Sequence, residues 1–234
     1  MENNLVKKLS KIAAAIQKAF KEELPLRSPK NLETRNSLPF LIWDCINTSL
    51  KELDGYETFE VRTARRGSWS FLLLFESESQ TIITLIKKRR FEGIQKAAAK
   101  NIPRYLKELL NCLKNKDLIG DGAQYLLWDN EPDNQAFISA MERECLSFST
   151  LKDLSEARHT FIVYDNFMEH LNSLSAIVVD SHFYQVGERI DMMDMLDTEM
   201  QLPLETVPAK STEHPAVRLT DYAIKLREEK KLGN

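Results

Sequence analysis

The chain has 234 residues, 43% of them hydrophobic and 29% charged, and this composition supports a buried core and excludes a chain that is disordered throughout. Its formal net charge of −3 conceals an uneven distribution, since residues 1–116 carry 22 Lys and Arg against 13 Asp and Glu, whereas residues 117–234 carry 10 against 22. This asymmetry indicates a polyanionic or acidic partner for the basic half and identifies no reaction.

The first predicted element is an N-terminal amphipathic helix over residues 1–23. Apolar residues recur at spacings of four and three from Leu5 onwards, and lysines occupy the other faces. Those lysines exclude a membrane span and a secretory signal, so we expect a cytoplasmic protein without a membrane partner. Prolines and serines in residues 24–36 predict a linker. A second helix is predicted to begin at Ser37 and to end near Asp54.

The cysteines predict reduced thiols and favour a cytoplasmic location. Cys45, Cys112 and Cys145 are odd in number, widely spaced and set in apolar helical patterns, which is typical of buried thiols and not of disulfides. A catalytic thiol is the less favoured alternative, because no local signature pairs any of them with a histidine.

Three strands are predicted to follow as an antiparallel meander. The runs Tyr56–Thr63, Trp69–Phe75 and Thr81–Ile86 are rich in β-branched and aromatic residues and are separated by short polar turns. The middle run is apolar on both alternating faces. It is therefore predicted to lie at the centre of the sheet, with both faces covered.

The remainder of the chain predicts helices and a second group of strands. Helical spacing returns from Phe91, with a break near Pro103. The second strand group is predicted at His159–Tyr164, Leu174–Val179 and Phe183–Val186.

Together these elements predict an α+β fold. Its body, residues 37–199, would contain an antiparallel sheet of five or six strands in two groups, with helices packed on it. Amphipathic helices at both termini, residues 1–23 and 216–234, would flank this body through the linkers 24–36 and 200–215. We expect these terminal helices to contact a protein partner or a second copy of the chain.

A group of basic residues is the main candidate for a binding site. Strands 1 and 3 of the meander run in the same direction, so their C-terminal ends lie at one end of the sheet. We predict a nucleic-acid-binding surface there, with a tryptophan as a stacking platform, formed by Arg62, Arg65, Arg66, Trp69, Lys87, Lys88, Arg89 and Arg90. Two alternatives stay open: a solvated surface of long side chains, or contact with the acidic half of the same chain.

No metal or cofactor site is predicted. Asp191, Asp194 and Asp197 are spaced so that neighbouring pairs could share a helix face and bind a divalent cation, but exposed carboxylates explain them better. Asp54, Glu60 and Arg62 faintly match a nuclease pattern in which an acid precedes Glu-x-Lys on a strand, although arginine is a poor proton donor or acceptor. The sequence contains no phosphate-cradling glycine loop, zinc signature or nucleophile elbow.

Two histidines are the candidates for chemistry if the protein is an enzyme. His159 begins the second strand group, and Asp180 with His182 would project from one strand face, where a carboxylate can orient an imidazole. Buried, hydrogen-bonded structural roles are favoured for these polar groups. Catalytic residues are therefore left unassigned.

Several strand segments also carry a family resemblance. They are Gly67–Phe75, Thr84–Lys87, Arg90-Phe91, His159–Tyr164 and Ser175–Asp180. These segments, within residues 38–190, resemble an uncharacterised family of Gram-positive bacterial and phage-associated proteins. The resemblance implies a bacterial or prophage setting near helix-turn-helix regulators, and hence a place in a toxin, antitoxin or phage-defence operon. It implies no functional residue, because its motifs are strand patterns.

These observations support three functional hypotheses. The leading one is a non-enzymatic interaction or regulatory protein of a bacterial or prophage system. The second is a nuclease or toxin acting on RNA or DNA, with basic residues holding phosphates and His159 or His182 near the chemistry. The third is a nucleic-acid-binding module without catalysis, whose affinity would fall with salt and with Lys88→Glu. The sequence does not decide whether the protein is an enzyme.

Overall fold

Helices and strands alternate with turns in the part of the chain that a computed structural model describes, which comprises residues 2–28, 34–66, 69–96, 104–121, 148–151 and 153–196. The helices are α1 (Glu2–Lys18), α2 (Leu24–Arg27), α3 (Leu38–Lys51), α4 (Lys88–Lys96) and α5 (Arg104–Cys112). The strands are β1 (Phe59–Arg66), β2 (Trp69–Glu76), β3 (Thr81–Lys87), β4 (Arg158–Phe167), β5 (His170–Val178) and β6 (Ile190–Asp191). A π-helical turn, Ala19–Glu23, joins α1 to α2, and 3₁₀ turns are formed by Lys114–Asp117 and Leu154–Glu156.

The strands form one mixed sheet in the order β1-β2-β3-β4-β5-β6. Neighbouring strands are antiparallel except β3 and β4, which are parallel. Parallel neighbours need a long crossover connection, and α4 and α5 lie in this one. The prediction of an antiparallel sheet is wrong at this pair. The fold is α+β, with a mixed, mostly antiparallel sheet of six strands and packed helices.

Two further strand predictions need correction. β2 lies next to the edge strand β1, and β3 and β4 occupy the centre of the sheet. Residues Phe183–Val186 form no strand and contribute one isolated bridge, between Val179 and Gln185. The sixth strand is Ile190–Asp191, so Asp191 and Asp194 do not share a helix face.

Helices cover both faces of the sheet. On one face, called the α3 face, α1 and α3 pack on alternate strand residues that include Leu72 and Leu74. On the other, called the α5 face, α5 packs on residues that include Leu73 and Phe75, and α4 packs on residues that include Phe161. Each such fully buried side chain stabilises the fold by about 1.5–3 kcal/mol. The apolar pattern of β2 predicted this two-sided burial.

The apolar stripe of α1 lies in this core. Leu9, Ile12 and Ile16 are at most 1% exposed, so the helix packs on the body of its own chain. Residues 24–27, which fall in the predicted linker, form α2. All described residues belong to one compact unit, Met1–Gln201. The predicted linker 200–215 and C-terminal helix 216–234 lie outside the described residues. Among the described helices, none is both long and apolar enough to cross a bilayer.

Candidate nucleic-acid interface

Strand β3 passes directly into α4 through a run of basic residues. These residues, called the basic cluster, are Lys87, Lys88, Arg89 and Arg90. The strand is buried at its start and exposed at its end, where it leaves the sheet. On α4, Phe91 and Ile94 are buried against the α5 face, and these two anchors fix the side of the helix that meets the core. Three residues of the cluster are consequently exposed, and Lys88 is half-buried.

The basic cluster carries uncompensated charge. None of its four residues forms an ion pair or side-chain hydrogen bond with another residue in the described ranges. Single exposed cations elsewhere, such as Lys96, Lys116 and Arg189, also form no ion pair with a described residue, but seven described cations do. Those paired with a carboxylate at 2.6–3.4 Å are Lys8, Lys18, Arg27, Arg35, Lys51, Arg62 and Lys114. The cluster is thus a local concentration of positive potential that faces solvent.

The remaining predicted site residues lie on β1 and at the start of β2. Both β1 and β3 are antiparallel to β2, so they finish at the same end of the sheet. The backbone register sets Arg66 opposite Trp69, while the side chains of Arg65, Arg66 and Trp69 lie outside the described part. The guanidinium of Arg62 lies 3.3 Å from Glu60 and is compensated on β1 itself.

The pairing of β2 with β3 is short on the side of the basic cluster. β1 and β2 share eight residue pairs and β3 and β4 share seven, but β2 and β3 share only three, near Glu76. At the other end of β2, the indole Nε1 of Trp43 on α3 donates to the carbonyl oxygen of Ser70 at 3.3 Å. The same indole stacks on Tyr164 of β4, with ring centroids 6.5 Å apart. A side chain of α3 thus joins β2 to β4.

A cleft of about 580 Å³ opens between α3 and the β1–β2 hairpin. Asp44, Asn47 and Thr48 of α3 line one side of it, and Thr63 of β1 and Ser70 of β2 line the other. Sequence reasoning missed this cleft. Four of its residues lie on α3 at helical spacing, but no spacing in the chain connects them to the lining residues of β1 and β2.

The surroundings of His159 are those of a residue that supports the fold. It is fully buried at the start of β4, where its Nε2 lies 3.0 Å from the hydroxyl oxygen of Thr84 on β3. The Asn115 side chain accepts from the backbone N–H of His159 at 2.6 Å and donates to its carbonyl oxygen at 3.1 Å. Burial lowers the pKa of the His159 imidazole to about 3, so the ring is neutral at pH 7 and out of reach of a dissolved substrate.

Asp180 and His182 lie in the turn after β5 and not on a strand face. The buried Asp180 carboxylate accepts backbone N–H bonds from Gly120, His182 and Tyr184, each at 2.9 Å. Gly120 permits this approach, because a Cβ there would lie 2.3 Å from the Cβ of Tyr184. Asp180 therefore holds the crossover connection against this turn. The sequence gives no signal for this role, since Gly120 and Asp180 are 60 residues apart.

The residues of the nuclease-like pattern meet in space, but their carboxylates are occupied. Glu60 accepts four hydrogen bonds at 2.6–3.0 Å from the backbone and hydroxyl groups of Ser149 and Thr150. Burial would raise the pKa of Glu60, but these bonds outweigh burial and hold the pKa below its usual value. Asp54 accepts from the backbone N–H of Val61 at 2.8 Å. Both carboxylates therefore serve as backbone anchors.

The strand that does end in lysine, β3, lacks the acid of this pattern. Its last three residues are Leu85, Ile86 and Lys87, so leucine stands where the pattern requires a carboxylate. Within the described ranges, no three His, Cys, Asp or Glu side chains are grouped to hold a metal ion. In the described part of the chain, the basic cluster is therefore not accompanied by a group of carboxylates that could position a divalent ion.

A comparison of the whole chain with known families gives a match over residues 1–232. The protein belongs to DUF5986, a family of unknown function. The predicted likeness to an uncharacterised family is confirmed, and it extends beyond residues 38–190 to nearly the entire chain. No curated protein and no solved structure matches this DUF5986 protein. Its function must therefore be argued from its own residues.

Proposed function

We propose that this protein binds nucleic acid through the basic cluster and acts by binding, not by catalysis. The observation that carries the proposal is that four consecutive cations, Lys87–Arg90, form no ion pair in the described ranges, whereas seven described cations elsewhere are paired with carboxylates. Phosphate groups supply the missing negative charge, and the counterions that they release provide affinity.

The position of the basic cluster supports an extended anionic ligand. The backbone of the cluster is fixed before Lys87 by the buried part of β3, and after Arg90 by the buried side chains of Phe91 and Ile94. The first turn of α4 adds the positive end of a helix dipole. Long cationic side chains on a fixed backbone suit phosphates and carry no base-specific geometry, so we expect binding with little sequence preference.

The non-catalytic part of the proposal is supported by the candidate catalytic groups. His159 is buried and neutral, the carboxylates of Glu60 and Asp54 accept bonds from backbone N–H groups, and β3 has Leu85 in place of an acid. A nuclease or toxin acting on RNA or DNA is the alternative function. It predicts cleavage that depends on a divalent metal or on His182.

We further propose a regulatory role in a bacterial or prophage system, with the protein in the cytoplasm. The resemblance of the strand motifs supports the setting, and Cys45 and Cys112, which form no disulfide in the described structure, suit a reducing compartment. Contact of the terminal helices with a protein partner or second copy stays a prediction. Within α1 such a contact would use exposed side chains such as Val6, because the apolar stripe is buried.

The nucleic-acid proposal is tested by fluorescence anisotropy with a 20-nucleotide RNA and a 20-base-pair DNA across a salt series. If all four cations contact phosphates, the logarithm of affinity should fall with the logarithm of salt at a slope of about −3 to −4. Lys88→Glu should weaken binding to every sequence and make the slope less steep by about 1. Arg89→Glu combined with Arg90→Glu should have about twice that effect on the slope.

The matched control is Lys116→Glu, an exposed lysine in the turn Lys114–Asp117. This turn is bonded to His159 at the start of β4, whereas Lys87 pairs with Tyr164 farther along that strand. We expect wild-type affinity from the control. Affinity that does not change with salt would refute nucleic-acid binding. Cleavage of either probe that His182→Ala abolishes would refute the non-catalytic part alone.

A further inference from the structure

We propose that the open end of edge strand β1 binds an extended acidic peptide of a protein partner by strand addition. β1 and β6 are the two edges of the sheet. β6 has two residues, whereas β1 has eight. A long edge strand offers unpaired backbone N–H and C=O groups to another chain unless its own protein covers them. The coverage of β1 therefore determines what this edge can bind.

The first half of the β1 edge is covered by its own chain. Both backbone groups of Phe59 bond to the preceding turn at 3.0 Å. The N–H of Val61 donates to the Asp54 carboxylate at 2.8 Å, and its carbonyl oxygen accepts from Lys51 Nζ at 2.7 Å. None of these partners lies on β2, so Phe59 and Val61 direct their backbone groups away from the sheet.

The second half of the β1 edge is open. Inward and outward residues alternate along an antiparallel strand, so Thr63 and Arg65 continue the outward series of Phe59 and Val61. No described residue bonds the backbone N–H or C=O of Thr63. The open edge, residues Thr63–Arg65, has a ready set of ladder groups for an added strand.

The cleft between α3 and the β1–β2 hairpin lies beside the open edge. Thr63 lines it together with Asn47 and Thr48, and the charged residues Asp44, Lys51 and Glu52 also line it. A strand paired with β1 would have every second side chain on the α3 face, where the cleft opens. Strand addition obtains affinity from main-chain bonds and specificity from space for alternate side chains, and this edge offers both.

Charge selects the occupant of the open edge. Glu60 and Asp54 already pair with Arg62, so Arg65 and Arg66 supply the excess positive charge of β1. If β1 of a second copy paired with this β1 in the antiparallel direction over both open positions, Thr63 would lie opposite Arg65. Arg62 would then lie opposite Arg66. Like charges directly opposite destabilise a strand pair, and opposite charges stabilise it. An extended segment with acidic side chains fits this edge better than a second copy does.

A display library of random ten-residue peptides, selected on the full-length protein, tests the proposal. We expect enriched peptides to be rich in Asp, Glu and β-branched residues. In hydrogen exchange, the best of them should protect the amides of Thr63 and Arg65. A selection that enriches nothing, enrichment without an excess of acids, or protection that leaves β1 unchanged would each overturn the proposal.

Two variants at one position sharpen the test. Thr63→Pro removes the outward N–H and leaves the ladder to β2 intact, because proline is tolerated on the free side of an edge strand. The selected peptide should bind this variant about tenfold more weakly. Thr63→Val keeps the N–H and loses only the hydroxyl, so it should bind as wild type does. Equal affinity for the two variants would overturn the proposal.

If Thr63→Pro does not fold, the same main-chain hydrogen bonds can be tested by modifying the peptide instead of the protein. Methylation of the peptide backbone nitrogens that face β1 should reduce affinity as the proline does, whereas methylation of the alternate nitrogens should not. Equal affinity for the two methylated peptides would contradict strand addition.

The proposal is separable from nucleic-acid binding and from self-association. Thr63→Pro should bind RNA and DNA as wild type does, because the basic cluster lies on β3 and α4. Sedimentation of the wild type should show no dimer that depends on Thr63. A dimer that Thr63→Pro abolishes would identify a second copy as the occupant and overturn the acidic peptide.

Discussion

A buried imidazole shows how a single residue can be excluded from chemistry by its surroundings. The ring of His159 lies with its centroid 4.3 Å from that of Phe161 and its Nε2 against Thr84. Its Nδ1 has no hydrogen-bond partner in the described structure. A second proton would place a charge in a fully buried site, and this burial lowers the pKa to about 3.

The depressed pKa of His159 predicts a pH dependence of stability. The unfolded chain binds a proton at this residue below about pH 6.5, whereas the folded chain does so only near pH 3. The unfolding free energy should therefore decrease by about 1.4 kcal/mol for each unit by which the pH falls between about 6.5 and 3. Urea unfolding at pH 4 to 7 measures this slope. His159→Phe should remove that contribution, and a variant with the wild-type slope would contradict the assignment.

Among the elements, β1 holds a distant segment through one carboxylate. Glu60 accepts four hydrogen bonds from Ser149 and Thr150. The same segment is anchored in the core by Phe148, whose ring centroid lies 5.1 Å from that of Phe75. A polar and an apolar attachment therefore fix residues 148–151 on the sheet, at neighbouring positions, because Glu60 of β1 pairs with Phe75 of β2.

We expect Glu60→Gln to loosen this attachment, because an amide replaces the charged acceptor of four bonds. Amide hydrogen exchange at Ser149 and Thr150 should become roughly tenfold faster at pH 7. The pKa of Glu60 is lowered on folding, so the wild-type attachment is present above the usual pKa of glutamate and is lost as pH falls through the lowered value. Glu22→Gln, at an exposed glutamate, is the control. Unchanged exchange in Glu60→Gln would show that Phe148 suffices.

For the whole molecule, local pattern predicted the elements well and their assembly poorly. The alternation in β2 and the helical spacing of α3 are periodic signals within one element, and both were read correctly. The parallel contact of β3 with β4 depends on how the crossover returns to the sheet, and no local periodicity records that. The prediction of an antiparallel sheet failed for this reason.

The same limit applies to the residues that join elements. Asn115 stands between two exposed lysines and looks like a surface residue in the sequence, yet it is fully buried. Its amide donates to the carbonyl oxygens of His159 and Val179, which are 44 and 64 positions away. The basic cluster was predictable because its four members are consecutive, whereas the cleft was not because its lining comes from three elements.

The three residue pairs between β2 and β3 make that join the weakest seam in the interior of the sheet. Trp43 holds the far end of the seam through one hydrogen bond to Ser70 and a ring contact with Tyr164.

In denaturant, the β1–β2 hairpin should separate from the remaining strands as a unit, before the eight residue pairs between β1 and β2 are lost. Native-state exchange in low denaturant should show the amides of β3 that face β2 exposed at a lower free energy than those facing β4, and Trp43→Phe should widen the difference. The two proposed binding sites therefore lie on the two parts of the sheet that would separate at this join. The open edge for the peptide lies on the β1–β2 hairpin, and the basic cluster lies on β3 and α4.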